Sequence, residues 1–309
     1  MRVIFVGVSL AYLRTRVIVD MRRDDDQWDI TTSVGATALA VAAGRAVETK
    51  RSDGLVNDPY AQAFVDATGK DMPDRPFDDE AWAAQATYLG VRSRFFDDCL
   101  SGAAQAGAEQ VVILAAGLDT RAFRLSWPAG VTVYEIDQSA VLDFKDRILD
   151  QEGADTAAGR IVVPVDLRHD WPAALTGAGF DPSRRTVWLA EGLLPYLPAA
   201  AEHLLFERVQ ELSAPGSRIA VEHFGGSIDK ITSSPEFQTM SQQVIGADVR
   251  TLFFSEDRDA APDVWLSGHG WTVTSSLAGD LAQEYGRPLP PGVAEVMGGI
   301  ELMRADLTG

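Results

Sequence analysis

The sequence predicts a doubly wound α/β fold, and the prediction rests on three observations. Short apolar runs at residues 111–116, 131–136, 161–165 and 186–190 have the length of strands, and helical texture lies between them, as in βαβ units. Each run ends in a glycine turn or a carboxylate: Gly117, Asp137, Asp166 and Glu191. In an open α/β sheet the carboxyl ends of neighbouring strands line one crevice, where ligands bind. Residues of these types at those ends suit a nucleoside-like ligand.

The elements follow in order. Residues 3–13 are apolar behind Arg2 and imitate a signal segment, but they are too short to span a bilayer. No small-x-small cleavage site follows them, and Arg14, Arg16, Arg22 and Arg23 come at once. Met21 is a second possible start, so residues 1–20 are expected to lie outside the fold, as an extension from a mis-assigned start. Residues 21–107 are expected to form a helical cap. Residues 31–48 read as an alanine-rich helix capped by Thr31, Thr32 or Ser33. Asp58-Pro59 reads as the N-cap and first position of a second helix, with Tyr60, Phe64 and Val65 on its buried stripe. Residues 69–80 read as a loop, and 81–106 as a long helix carrying Tyr88, Val91, Phe95 and Leu100.

A second domain is expected over 108–309. Strands are placed at 111–115, 131–136, 161–165, 186–190 and 218–222. Helices are placed near Ala122, at 139–152, near 171–178 and at 199–212. Ala214-Pro215-Gly216 is a turn before the fifth strand. Residues 225–265 form a helical or looped insertion suited to a lid, and 271–275 with 300–304 read as a final antiparallel pair.

Composition narrows the function classes. The chain has 309 residues, 46% hydrophobic and 23% charged, as expected of a globular protein. A net charge of −18 argues against nucleic acid and against docking on anionic lipid. The single cysteine, Cys99, permits no intrachain disulfide and fits a reducing, cytoplasmic setting, where it reads as a packed thiol. There is no internal repeat.

Each strand-end residue has a chemical use and a plain structural one. Gly117 lets backbone approach a ligand closely, or simply makes a tight turn. The dinucleotide fingerprint would need glycines at Ala115, Gly117 and Thr120, so a pyrophosphate site is poorly supported. Asp137, about 20 residues after the turn, is placed to bind ribose hydroxyls, or to cap the helix at Ser139. Glu135 shares its strand face, so the pattern does not choose between them. Asp166 with the Leu167 N–H suits an adenine edge, or leads the turn into Asp170. Glu191 faces the reacting centre in such sheets, or caps the turn at Gly192.

At this point several segments in order, TSVGATA, NDPYA, AAGLDTRAFRL, YEIDQ, VDLRHDW and AEGLLPYL, resemble the leucine carboxyl methyltransferase family. They are most similar to its actinobacterial branch of S-adenosyl-L-methionine-dependent methyltransferases, over roughly residues 22–305. The resemblance implies a class I methyltransferase fold: a Rossmann-like, seven-stranded sheet with an N-terminal helical cap and an insertion after strand 5. It implies S-adenosyl-L-methionine as cofactor. Ala115 and Gly117 would line its methionine part, Asp137 would hold the ribose, and Asp166 and Leu167 would flank the adenine. Glu191 would lie beside it near the acceptor, and Arg92, rather than Arg94, would pair with its carboxylate. Ala115 replaces the family's usual glycine.

The implied reaction is methylation of a carboxyl or hydroxyl group on a small molecule or protein. A carboxylate acceptor needs no general base, whereas a hydroxyl does. Among His169, His203, His223 and His269, His223 is the best-placed base by its position after the fifth strand, with Glu191 as the other candidate. No Cys/His cluster suggests a metal. Trp82, Tyr88, Phe95, Phe224, Phe237, Phe253 and Phe254 are candidates for the wall of an apolar acceptor pocket, or for core. Two other readings use the same residues: a non-catalytic nucleoside-binding protein, and a nicotinamide-dependent oxidoreductase that NADH titration would reveal.

Overall fold

The computed structural model describes residues 33–68, 80–156, 158–244, 248–254, 258 and 260–308. The expected extension at 1–20, and most of the loop expected at 69–80, lie outside the described residues.

Three helices precede the sheet: α1 (Ser33–Lys50), α2 (Ala61–Thr68) and α3 (Glu80–Gln105). The second begins two residues later than the Asp58-Pro59 pattern suggests. Asp58 Oδ1 accepts the Tyr60 N–H at 3.1 Å, which makes a turn of residues 58–60 before the helix starts. Then come β1 (Gln110–Leu114), α4 (Arg121–Arg124), β2 (Thr132–Asp137), α5 (Ser139–Gln151), β3 (Gly159–Pro164), α6 (Trp171–Gly177) and β4 (Thr186–Ala190). They are followed by α7 (Ala199–Glu211) and β5 (Arg218–His223). The insertion after β5 holds α8 (Ser227–Ser233), α9 (Pro235–Val244) and α10 (Val249–Leu252), and α11 (Pro262–Gly268) follows. The chain closes with β6 (Trp271–Leu277), α12 (Ala278–Glu284), α13 (Pro291–Met297) and β7 (Glu301–Leu307).

The sheet has seven strands in the order β3-β2-β1-β4-β5-β7-β6. All pairings are parallel except those of β7, which runs antiparallel to β5 and β6. The expected final antiparallel pair is present, with two short helices between its strands. Every residue of β1 and β4 is buried, as befits central strands covered on both faces. Side chains alternate between two apolar layers. Val111, Ile113, Val133, Leu189 and Ala220 pack beneath α3 with Tyr88, Phe96 and Leu100. Val112, Leu114, Ile136, Trp188 and Val221 pack on the other face with Trp171, Phe180 and Phe206.

Strand order reverses between β1 and β4, since the chain runs outward through β2 and β3 and then returns to the other side of β1. At such a switch point the loops diverge above and below the sheet and leave a crevice. The turn after β1, the end of β2 and the turn after β4 all open onto it.

Candidate cofactor and acceptor site

The turn after β1 is held in an unusual backbone conformation. Ala115 has φ 53° and Gly117 φ 48°, both left-handed, and Ala115 is the one described non-glycine residue with positive φ. A Cβ on Gly117 would lie 3.3 Å from the Ala38 Cβ of α1, so the turn is pressed against the cap. The cap also clamps it with polar groups. From α1, Arg45 Nη2 donates to the Leu118 carbonyl at 2.6 Å, and its Nε donates to Asp58 Oδ2 at 2.7 Å. The Thr120 hydroxyl donates to the same Asp58 oxygen at 2.7 Å. Asp58, in the NDPYA segment, therefore ties α1 to the β1 turn as well as leading into α2.

Asp137 ends β2 facing this turn. Its Oδ2 accepts the Gly117 N–H and its Oδ1 the Gln138 N–H, both at 2.7 Å. Each oxygen keeps a further acceptor site, because a carboxylate offers about four. Burial pushes the Asp137 carboxyl above the ordinary aspartate range, against the two N–H donors. Glu135 is placed differently: it is fully buried, with Lys145 Nζ at 2.8 Å and Arg160 Nη2 at 2.7 Å from its Oε2. Of the two acidic residues on this strand face, Asp137 alone reaches the crevice and Glu135 is committed to an ion cluster beneath it.

At the end of β3, Asp166 Oδ2 accepts from Gln138 Nε2 at 2.8 Å and from Arg168 Nη2 at 2.8 Å. Burial favours its neutral form, but the Arg168 side-chain and backbone donors outweigh it and hold the carboxyl below the ordinary range. Leu167 is half-buried against the second apolar layer.

A buried charge network occupies the other side of the crevice. Glu191, just past β4, pairs with Arg92 Nε at 2.8 Å and Arg121 Nη1 at 2.7 Å. Glu222, on β5, receives Arg92 Nη1 at 3.2 Å, the Gly192 N–H at 2.6 Å and a short hydrogen bond from the Tyr88 hydroxyl. Gly192 has φ 63°, and this left-handed turn aims its N–H at Glu222. Arg121 also binds Asp97 at 2.7 Å and Asp119, and Arg124 binds Asp97 at 2.6 Å. Burial opposes ionisation of Asp119, yet Arg121 and neighbouring cations bring it down to about 2.

Arg92 is thus buried in the site. Arg94 is surface-exposed and bonded to Asp98 on its own helix at 2.7 Å. His223 sits on the strand face opposite Glu222 by the alternation of β5, with Nδ1 3.9 Å from Glu301. Burial lowers its basicity. Cys99 is buried, and burial pushes its thiol up to about 11.

An apolar cleft open to solvent lies between α1, α3 and the insertion after β5. Of the candidate aromatics, Trp82, Tyr88, Phe224, Phe237 and Phe253 line it, and Arg92 stands at its polar end. Phe95 instead packs in the core against Phe96, with ring centroids 5.2 Å apart. Phe254 is not in the wall; its backbone N–H bonds the Pro195 carbonyl. Glu222 was not among the sequence candidates, although it ends a strand as Asp137 and Glu191 do. No helix among the described residues is long and apolar enough to cross a membrane.

Known proteins match this arrangement. A family model described as leucine carboxyl methyltransferase matches residues 38–210. A protein of Rhodococcus jostii (strain RHA1), provisionally named an S-adenosyl-L-methionine-dependent methyltransferase, is 48% identical, covering 87% of this chain and 93% of its own. One of the same provisional name from Mycolicibacterium smegmatis is 47% identical, covering 94% and 97%. Among solved structures, a provisionally described methyltransferase of Thermobifida fusca superposes with a TM-score of 0.51 at 16% identity, covering 88% and 94%. A protein of Streptomyces avermitilis gives 0.52 at 12%, covering 86% and 96%, and these two likenesses concern the fold. The sheet order, the clamped turn after β1 and the sequence matches over most of the chain agree, and the chain belongs to the leucine carboxyl methyltransferase family.

Proposed function

We propose that this methyltransferase methylates an oxygen atom, with S-adenosyl-L-methionine as donor bound in the crevice at the β1–β4 switch point. The observation that carries the reading is Asp137. Two backbone N–H groups fix its carboxylate at the end of β2, and each oxygen keeps an acceptor site toward the crevice, one for each hydroxyl of a ribose. Such prior fixing lowers the ordering cost of binding.

The other residues take roles that suit their places. Ala115 and Gly117 bring bare backbone beside the methionine part. Asp166 and Leu167 flank the adenine; Gln138 and Arg168 fill the acceptor sites of Asp166, so a bond from the adenine amine requires the Arg168 side chain to yield one of them. Arg92 holds an ion pair with Glu191 beside its Nε and donates through Nη1 to Glu222, and its Nη2 is the nitrogen that meets the donor's carboxylate. Glu191 lies between these groups and the acceptor cleft.

The donor supplies a methyl group already activated on a sulfonium sulfur. The protein's task is to hold the acceptor oxygen in line with that methyl, at about 3 Å, and to exclude water. The cap and the insertion after β5 do both, because the cleft lies between them. The acceptor is a small molecule or a protein group carrying a carboxyl or hydroxyl.

Calorimetric titration of S-adenosylmethionine and S-adenosylhomocysteine into wild type and Asp137→Ala tests the reading. Wild type should bind both. The variant should lose at least about ten-fold in affinity, since each hydrogen bond to a charged group contributes about 1.5–3 kcal/mol. No binding to wild type would overturn it.

A further inference from the structure

We infer that Lys145 is a positioning residue of the donor site: from beneath the end of β2, its buried ammonium keeps the Asp137 carboxylate charged to receive the ribose. The inference rests on the cofactor reading above and adds a residue that acts on the donor through another.

A lysine is almost never fully buried unless paired, and the Lys145 side chain on α5 is wholly covered. Around it α5 packs against Leu39 of α1, Phe64 of α2 and Leu118 of the β1 turn. Its Nζ lies 2.8 Å from Glu135 Oε2. That glutamate has a second partner, since Arg160 donates to the same oxygen through Nε at 2.9 Å and Nη2 at 2.7 Å. The Lys145 ammonium makes no aligned hydrogen bond among the described residues. It therefore works as a charge rather than as a tether. Taking an ammonium out of water is costly, so surrounding carboxylates must offset it.

Glu135 is one of them, and the strand supplies the other. Glu135 and Asp137 lie two residues apart on one face of β2, about 7 Å along the strand. A cation set against Glu135 thus also stands below Asp137. Burial and the Asp166 carboxylate past β3 both favour the neutral form of Asp137, while the Gly117 and Gln138 N–H groups and the Lys145 charge favour the ionised one. The other charges near this turn are engaged elsewhere: Arg45 with Asp58, Arg121 with Asp119, and Arg160 also with Asp146 at 2.7 Å.

The charged form is the one the site needs. Both carboxylate oxygens already accept a backbone N–H, so a proton on either would compete with that donor or with a ribose hydroxyl. A charged acceptor also makes the stronger hydrogen bond. Donor affinity should therefore be full above the titration of Asp137 and fall as pH drops through it. Lys145 lowers that titration, and removing the lysine moves the fall to higher pH, by about one to three pH units for one nearby opposite charge.

The test is calorimetric titration of S-adenosylhomocysteine into the full chain from pH 8 to 5.5, as wild type, Lys145→Met, Lys145→Gln, Asp137→Asn and the Lys145→Met/Asp137→Asn double variant. Over this range wild-type affinity should fall less than about two-fold, and that of Lys145→Met at least about five-fold. Lys145→Gln, which keeps a polar head group without the charge, should show the same steeper fall. In the Asp137→Asn background the pH dependence should vanish with or without the lysine. A merely structural role would weaken binding equally at every pH. Such a parallel loss, an unchanged profile in the lysine variants, a fall that survives Asp137→Asn, or a wild-type affinity that itself falls five-fold would overturn the inference. If neither lysine variant folds, the wild-type profile still decides: a flat one is the expected result and a steep one overturns it. Failure of the cofactor reading would look different, as absent S-adenosylhomocysteine binding to wild type at every pH.

Discussion

Ala115 shows how one residue can carry both strain and position. Its φ of 53° lies where a Cβ crowds the following carbonyl, at a cost of about 1–2 kcal/mol for an L-residue. The turn keeps this conformation because its neighbours hold it: the Ala116 N–H bonds the Ile136 carbonyl at 2.9 Å, and Gly117 is bound to Asp137. Ala115→Gly should remove the strain. The gain is partly offset by the freer unfolded chain, about 0.4–1 kcal/mol. A net stabilisation of up to about 1.6 kcal/mol in urea denaturation is the expected result, and a loss above about 1 kcal/mol would show that the methyl group packs usefully. Asp137 was legible in the sequence because a carboxylate closing an apolar run is visible without tertiary information. The choice between it and Glu135 was not, because that depends on Lys145 and Arg160 arriving from α5 and β3 to claim Glu135.

At the scale of elements, the cap joins the rest of the fold through buried polar pairs as well as apolar packing. Asp58 joins Arg45, 13 residues away, to Thr120, 62 residues away. Fully buried Glu48 joins α1 to Arg287, 239 residues away, with Nη2 at 3.0 Å. Such partners leave no mark in local spacing, so the sequence showed Asp58 only as a helix cap. The strands were legible to within two residues, except that the last runs three residues further than expected, to Leu307, because a short apolar run between turns is a local signal. The helices Ala278–Glu284 and Pro291–Met297 were not, since seven residues give too little periodicity to stand out. Glu222 obeys the same strand-end rule as Glu191 and was readable, but the histidine beside it drew the argument. Removing one partner of a buried pair strands the other charge, at a cost of about 3–5 kcal/mol. Asp58→Ala should therefore lower unfolding free energy by about that amount in urea. It should also weaken S-adenosylhomocysteine binding, because Arg45 and Thr120 hold the β1 turn. A stable variant with intact affinity would mean that the apolar contact between α1 and the turn suffices.

Over the whole molecule, the charge of −18 and the buried networks respond to different conditions. The pairs around Arg45, Arg92 and Arg121 lie at most about a tenth exposed, so dissolved ions screen them little. The excess carboxylates elsewhere repel one another across solvent, and self-repulsion of this kind works against the compact state. Raising ionic strength from 0.01 to 0.15 M shortens the screening length from about 30 to about 8 Å, which cuts that repulsion. The unfolding midpoint at pH 7 should then rise, by about 1–2 °C for each kcal/mol relieved in a chain of 309 residues. The same salt should leave the penalty of Asp58→Ala nearly unchanged, because that pair is out of reach of the solvent. A midpoint that falls with salt would place the balance with exposed ion pairs such as Arg184–Glu109 and Arg250–Asp248, which screening weakens as readily as it weakens repulsion.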